Sequence, residues 1–180
     1  MTSVLLWLCS RDYLEILMTD ATAENLITDA MRDHVGVESD PWICEVDKTA
    51  VRMFARSVGQ VDPVYYDEEE AKSAGYRSLP APPGYLGTPI FNPAAKDNSL
   101  GIVGGPQPSR PLTRILNGGT EIEYLGDICA GDVLSARSHI SNYEEREGSI
   151  GPMLIVTSKT TYTYQDEELV AVMTGNLIRY

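Results

Sequence analysis

The last third of the chain limits the fold more than any other stretch. Residues 119–125, 132–146, 152–165 and 168–179 all read as strands, punctuated by Ala130-Gly131-Asp132, Glu147-Gly148 and Gln165-Asp166. The run from Leu154 to Tyr164 is dominated by β-branched, aromatic and hydroxyl side chains, which suit a pleated, half-buried surface. Short turns between consecutive strands imply antiparallel pairing. Helix signals fall ahead of this block, and helices first with a meander last indicates an α+β layer fold, its helices packed on one sheet face.

The helices are short. Residues 20–34 suit a first one, with Thr22 as N-cap, Leu26, Ile27, Ala30 and Met31 on one face, and Gly36 as its end. Trp42 to Val46 reads as a strand closed by Asp47, which also caps a helix over 48–58. Val51, Phe54, Ala55 and Val58 fall at helical spacing there, and Gly59 is its stop. Residues 67–74 form another helix, with acids crowded into the first turn and Gly75 behind it. Pro82-Pro83 is expected to open a helix from Gly84 to Phe91. Residues 92–113 are then one long irregular segment, of a length usually tied to function or mobility.

A length of 180 residues suits one domain with a real core, and there is no internal repeat. The formal charge of −12 argues against nucleic acid and anionic membranes as partners. It leaves a phosphate-bearing ligand open, because a local arginine cluster can hold a phosphate on an acidic protein. Cys9, Cys44 and Cys129 are far apart and in no CxxC spacing, so no metal or disulfide is expected, and a reducing cytoplasm fits. The apolar run Val4 to Leu8 is too short to span a bilayer and no Lys or Arg precedes it. Met18-Thr19-Asp20-Ala21 reads like a natural start. Residues 1–17 are therefore read as an over-extended start or a tail, with an amphipathic helix from Leu5 to Leu17 as the alternative.

An ordered set of short motifs carries a resemblance. A helix is followed by Gly59-x-x-Asp62-Pro63-x-Tyr65, then Asp67-x-x-x-Ala71, Ala74-Gly75-Tyr76 and Ala81-Pro82-Pro83. Gly118-Gly119 then precedes a strand and Ala130-Gly131-Asp132 lies between strands. The set resembles the hot-dog fold of MaoC-like dehydratases and hydratases. It looks most like the N-terminal, non-catalytic domain type found in heterodimeric 3-hydroxyacyl thioester dehydratases. The resemblance covers residues 38–180 as one hot-dog domain, with 1–37 as an N-terminal extension and short helix. It implies a curved antiparallel sheet wrapped around a central helix, two hot dogs paired, and an acyl thioester lying between them.

In the catalytic type of this family the motif reads G-D-x-N-P-[IL]-H, and its Asp and His activate a water for addition to an α,β-unsaturated thioester. Here Gln60 stands at the Asp position and Tyr65 at the His position. A carboxamide takes up no proton at neutral pH, and a phenol with a reference pKa of about 10 is a poor base there. No catalytic residue is therefore expected, and Gln60 and Tyr65 are read as vestigial positions that line a pocket. Asp62 is expected to serve the turn before Pro63, or to touch ligand. Gly84 and Tyr85 are expected at the start of the central helix, where free N–H groups suit a thioester oxygen. An ordinary helix start, with Tyr85, Leu86 and Ile90 in the core, is the competing reading. Leu116-Asn117-Gly118-Gly119 resembles the L-H-G-[GE] element of these domains, with Asn117 in place of His; Asn-Gly is also a plain turn signal. Arg110 and Arg114 are candidates for a coenzyme A or carrier phosphate, against the reading of solvated side chains. His34 and His139, the only histidines, match no motif.

The function implied is a non-catalytic, tunnel-forming subunit of a heteromeric enoyl-CoA hydratase or (3R)-hydroxyacyl thioester dehydratase. A catalytic hot-dog partner would supply Asp and His; no cofactor and no metal are implied. The alternatives are a homodimeric acyl-thioester binding protein, and a self-sufficient hydratase or thioesterase using other residues, such as Asp62 with a water. Fold alone does not separate these.

Overall fold

A computed structural model describes residues 25–91, 105–149 and 151–180. In chain order the elements are helix α1 (Asp29–His34), strand β1 (Trp42–Glu45), helix α2 (Lys48–Ser57), a 3-10 turn (Pro63–Tyr65) and helix α3 (Glu68–Ser73). Strands β2 (Thr88–Pro89), β3 (Ile115–Tyr124), β4 (Val133–Gly148), β5 (Gly151–Thr163) and β6 (Leu169–Arg179) follow. All six strands belong to one sheet of order β2-β1-β4-β5-β6-β3, antiparallel throughout.

The β4-β5-β6 meander follows from its short turns. The outer positions do not. β3 crosses the sheet to pair with β6, from Ile115 opposite Arg179 to Tyr124 opposite Ala171. The free edge of β4 is taken by β1, with Trp42 opposite Ala136 and Glu45 opposite Val133. Register shifts at Asn117/Gly119, Ile140/Asn142 and Tyr162/Thr163 each add local twist, and the sheet curls into a half-barrel. Alternation puts Leu134, Ala136, Ser138 and Ile140 of β4 on the same face as Leu154, Val156, Ser158, Thr160 and Tyr162 of β5, and all nine are buried.

That face carries two apolar clusters. The larger joins Leu134, Ala136, Tyr162, Val170 and Ala171 of the sheet to Val51 of α2, Ala71 of α3, and Leu79, Tyr85 and Leu86 of the following loop. The smaller joins Ile140, Leu154 and Val156 to Leu26, Met31 and Leu112. Helix α2, the longest among the described residues, buries Val51 and Ala55 completely, and Phe54 packs on the larger cluster. Val58, at the C-cap, stays exposed.

The predicted caps form. Asp47 accepts the amides of Thr49 and Ala50, Asp67 accepts those of Glu69 and Glu70, and Gly59 and Gly75 take the left-handed conformation behind their helices. The first helix is shorter than expected: Thr28 is its N-cap, accepting from the Met31 amide, and Ala30 is exposed. Thr22 and residues 1–17 lie outside the described residues.

The helix expected from Gly84 to Phe91 is not formed. Leu79 to Ala81 runs extended against Ile128–Ala130, and the Tyr85 amide then donates to the Pro82 carbonyl. Pro83 and Gly84 occupy the two central positions, with Gly84 at φ +96°, the arrangement of a type II turn. Proline followed by glycine favours that turn over a helix start, because only glycine takes the second conformation without strain. The chain next forms β2, with Thr88 opposite Glu45 and Pro89 opposite Cys44. Gly87 is needed for this approach: a Cβ there would sit 3.0 Å from the Cys44 Cβ. Ile90 is half exposed rather than in the core. Of the segment expected to be irregular, 105–113 carries no strand or helix, and 92–104 lies outside the described residues. Among the described residues, no helix is long and apolar enough to cross a membrane.

Candidate functional site

The loop behind α2 holds the first group of candidates. Gly59 turns the chain, and the Gln60 amide donates back to the Ala55 carbonyl at 2.9 Å. The Gln60 carbonyl accepts the Tyr66 hydroxyl at 2.5 Å, and the Arg52 Nε donates to the Tyr66 carbonyl at 3.1 Å. The Asp62 carboxylate caps the 3-10 turn, accepting the Val64 amide at 3.1 Å. It is exposed and engaged in that turn.

Tyr65 is half buried. Its phenol is pushed above the ordinary value, first by burial and then by the neighbouring Tyr76 and Asp62. It therefore stays protonated at neutral pH and can donate a hydrogen bond, but it takes no proton. Neither histidine is on this loop: His34 ends α1 and His139 lies on β4 opposite Lys159. Among the described residues, no three His, Cys, Asp or Glu side chains cluster as metal ligands.

The second group is the Pro82–Tyr85 turn. Tyr85 is buried, its ring 5.4 Å from that of Phe54, and its hydroxyl shares a 2.9 Å hydrogen bond with the Thr88 Oγ1. The Gly84 amide is already engaged: it donates to the Tyr124 hydroxyl at 2.7 Å. Tyr124 is a residue that sequence reasoning missed. Its signal was period-two spacing, since Ile122 and Tyr124 alternate with Glu121 and Glu123 along β3.

The third group lies elsewhere. Asn117 and Gly118 form the β3 bulge, where the Asn117 Oδ1 accepts the Gly119 amide at 2.9 Å. A Cβ at Gly118 would meet the Ile178 side chain at 3.1 Å and the Asn176 carbonyl at 3.2 Å. Arg114 sits beside them, paired through its backbone with Tyr180 and with its guanidinium 6.0 Å from that ring. Arg110 is exposed. Seven residues of strand separate Asn117 from Tyr124, about 23 Å at roughly 3.3 Å per residue. The fold thus gathers the first two groups around one cluster, through Val64 and Tyr85, and leaves Asn117, Gly118, Arg110 and Arg114 at the far end of β3. What it gathers is a set of hydrogen-bond donors and aromatic walls, and the carboxylate on the loop where the family motif falls is that of Asp62, exposed and capping the 3-10 turn.

A curled antiparallel sheet with this strand order is the hot-dog fold. The chain superposes on the ChsH1-ChsH2 complex from Mycobacterium tuberculosis with a TM-score of 0.62, at 16% identity, covering 80% of this chain and 89% of that one. A MaoC-like dehydratase gives 0.60 at 20% identity, covering 81% of this chain and 42% of that one. The HadBC (3R-hydroxyacyl-ACP dehydratase) complex of Mycobacterium tuberculosis gives 0.56 at 23%, covering 81% and 98%. Residues 33–173 match the family model described as FAS1-like, dehydratase domain region; the chain belongs to that family and is a MaoC-like hot-dog protein. It is 32% identical over 111 residues to a Streptomyces avermitilis protein named UPF0336 protein, covering 62% of this chain and 69% of that one. It is 24% identical over 145 residues to a probable enoyl-CoA hydratase alpha subunit of Thermomonospora curvata, covering 75% of this chain and 45% of that one.

Proposed function

We propose that this chain is the chemically silent, acyl-tunnel-forming subunit of a heteromeric enoyl-CoA hydratase or (3R)-hydroxyacyl thioester dehydratase. One observation carries the reading: both proton-handling positions of the family motif hold side chains unable to do the work. The Gln60 carboxamide neither takes up nor releases a proton at neutral pH, and the Tyr65 phenol is shifted away from neutrality rather than toward it. A catalytic hot-dog partner then supplies Asp and His, and this chain supplies a wall.

The edge strand β3 supports such a pairing. It is exposed along nearly its whole length, and among the described residues no strand pairs with its outer backbone groups. Open edges of that length are normally paired or covered. The relatives are consistent with it: ChsH1-ChsH2 and HadBC are complexes, and the Thermomonospora protein is a probable alpha subunit. The cytoplasm remains the compartment proposed, and Cys44 and Cys129 are free and buried.

The test is hydration of a short and a long trans-2-enoyl-CoA, followed by loss of the ultraviolet absorbance of the conjugated thioester. The chain alone is expected to be inactive, and activity is expected once an Asp/His-bearing hot-dog subunit is added. Robust turnover by the chain alone, free of contaminating hydratase, would overturn the reading. Tight acyl-CoA binding with no hot-dog partner at all would instead favour a homodimeric binding protein.

A further inference from the structure

Tyr124 has an arrangement that the vestigial motif does not explain. It is the last residue of β3 and stands opposite Ala171, which in turn stands opposite Tyr162 and through it Ala136. The other three residues of that row are buried core, so the Tyr124 ring leans over the same inward face from the open edge of the sheet. Its hydroxyl accepts the Gly84 amide at 2.7 Å. Among the described residues, that hydroxyl finds no acceptor for its own proton, and Tyr124 is 40% exposed. A phenol that accepts an amide N–H bond is polarised and becomes a better donor through its remaining O–H.

The surroundings are aromatic and lack a side chain at one point. Gly84 is exposed and carries no Cβ; one built there would lie 3.4 Å from the Phe54 ring, itself 5.4 Å from the Tyr85 ring. One donor without an acceptor among the described residues, over apolar rings and beside a bare backbone, suits a ligand with a single carbonyl oxygen on an apolar chain.

We propose that Tyr124 is a ligand-binding residue whose hydroxyl donates to the carbonyl oxygen of an acyl thioester, with the Gly84 amide fixing that hydroxyl in place. This rests on the acyl-thioester reading above and adds the atom that recognises the thioester in this chain. No covalent step is involved.

The test compares butyryl-CoA with butyl-CoA, the thioether that lacks the carbonyl, by calorimetric titration of the full chain alone, where no Asp/His-bearing subunit adds donors. The wild-type chain is expected to bind the thioester roughly fivefold tighter than the thioether, the size of one neutral hydrogen bond. Tyr124→Phe keeps the ring and is expected to erase that preference, leaving butyl-CoA affinity unchanged. Equal weakening of both ligands in the variant would mean that Tyr124 only shapes the turn, and would overturn the proposal. So would a wild-type chain with no preference, a reading that depends on no variant folding, and so would binding of neither ligand. The hydration assay with the partner subunit judges the functional reading separately, so the two can fail independently.

Discussion

At the scale of single residues, the proposed function rests on what the Gln60 and Tyr65 side chains cannot do. In an assembled, active complex, Gln60→Ala and Tyr65→Phe are each expected to leave kcat within about threefold. General acid–base groups supply about 100-fold or more, so a loss of that size with assembly intact would show that these positions take part in the chemistry. Tyr162 gives a different prediction. Its phenol is pushed up to about 12, chiefly by burial and secondarily by Cys44 and Tyr124. A raised folded-state value means that the folded protein holds the proton more tightly than the unfolded chain, whose phenol titrates at about 10. Stability from this group is therefore complete below pH 10 and lost as pH rises through about 12, on the order of 3 kcal/mol in all. Denaturant melts between pH 9 and 12 should show that fall, and Tyr162→Phe should flatten it.

At the scale of elements, caps and a clamp hold the short helices and loops in place. Asp47 accepts the Thr49 and Ala50 amides in the first turn of α2, the helix whose face fills the larger cluster. Asp47→Ala is expected to cost about 1 kcal/mol, read as a lowered urea midpoint with unchanged slope. Between the Leu79 strand and the β3–β4 turn lies the clamp. Arg77 is salt-bridged to Asp132 and lies 5.6 Å from the Tyr164 ring, while the Asp132 Oδ2 also accepts the Cys129 amide at 2.7 Å. The Asp132 side chain is 13% exposed against 50% for Arg77. Removing the aspartate strands a part-buried amide and a guanidinium; removing the arginine leaves the amide bond intact. Asp132→Ala is therefore expected to cost about 2 kcal/mol and Arg77→Ala about half that. Equal losses in thermal melts would place the energy in the ion pair alone.

At the scale of the whole molecule, the sheet is finished on one side and open on the other. β2 closes the β1 edge with two residues, one of them a proline that suits an edge. β3 presents ten residues with no strand beyond them among the described residues. Leu116 on that edge is 53% exposed. Leu116→Lys is expected to weaken assembly with a hot-dog partner, seen as a shift to smaller species in gel filtration, while the chain's own melting changes little. Unchanged assembly would move the interface to another face.

Local chemistry explains which parts of this protein were legible in its sequence. Caps, glycine stops and short turns act over a few residues, so Asp47, Gly59, Asp67, Gly75 and the β4-β5-β6 meander could be read directly. The motif at Gly59–Tyr65 was legible as a family pattern with Gln60 and Tyr65 at its Asp and His positions. The Pro82–Tyr85 segment carries two competing local signals, Pro-Pro for a helix start and Pro-Gly for a type II turn, and the turn forms because Gly84 takes the positive φ that it requires. Non-local choices were not written in any short stretch. That β3 crosses to β6 and β1 takes the side of β4 depends on which edges remain open after the meander forms. That Tyr124 reaches Gly84 depends on a strand and a turn 40 residues apart meeting over one curled face. Sequence periodicity decides which face of a strand is apolar; only the closed sheet decides what that face meets.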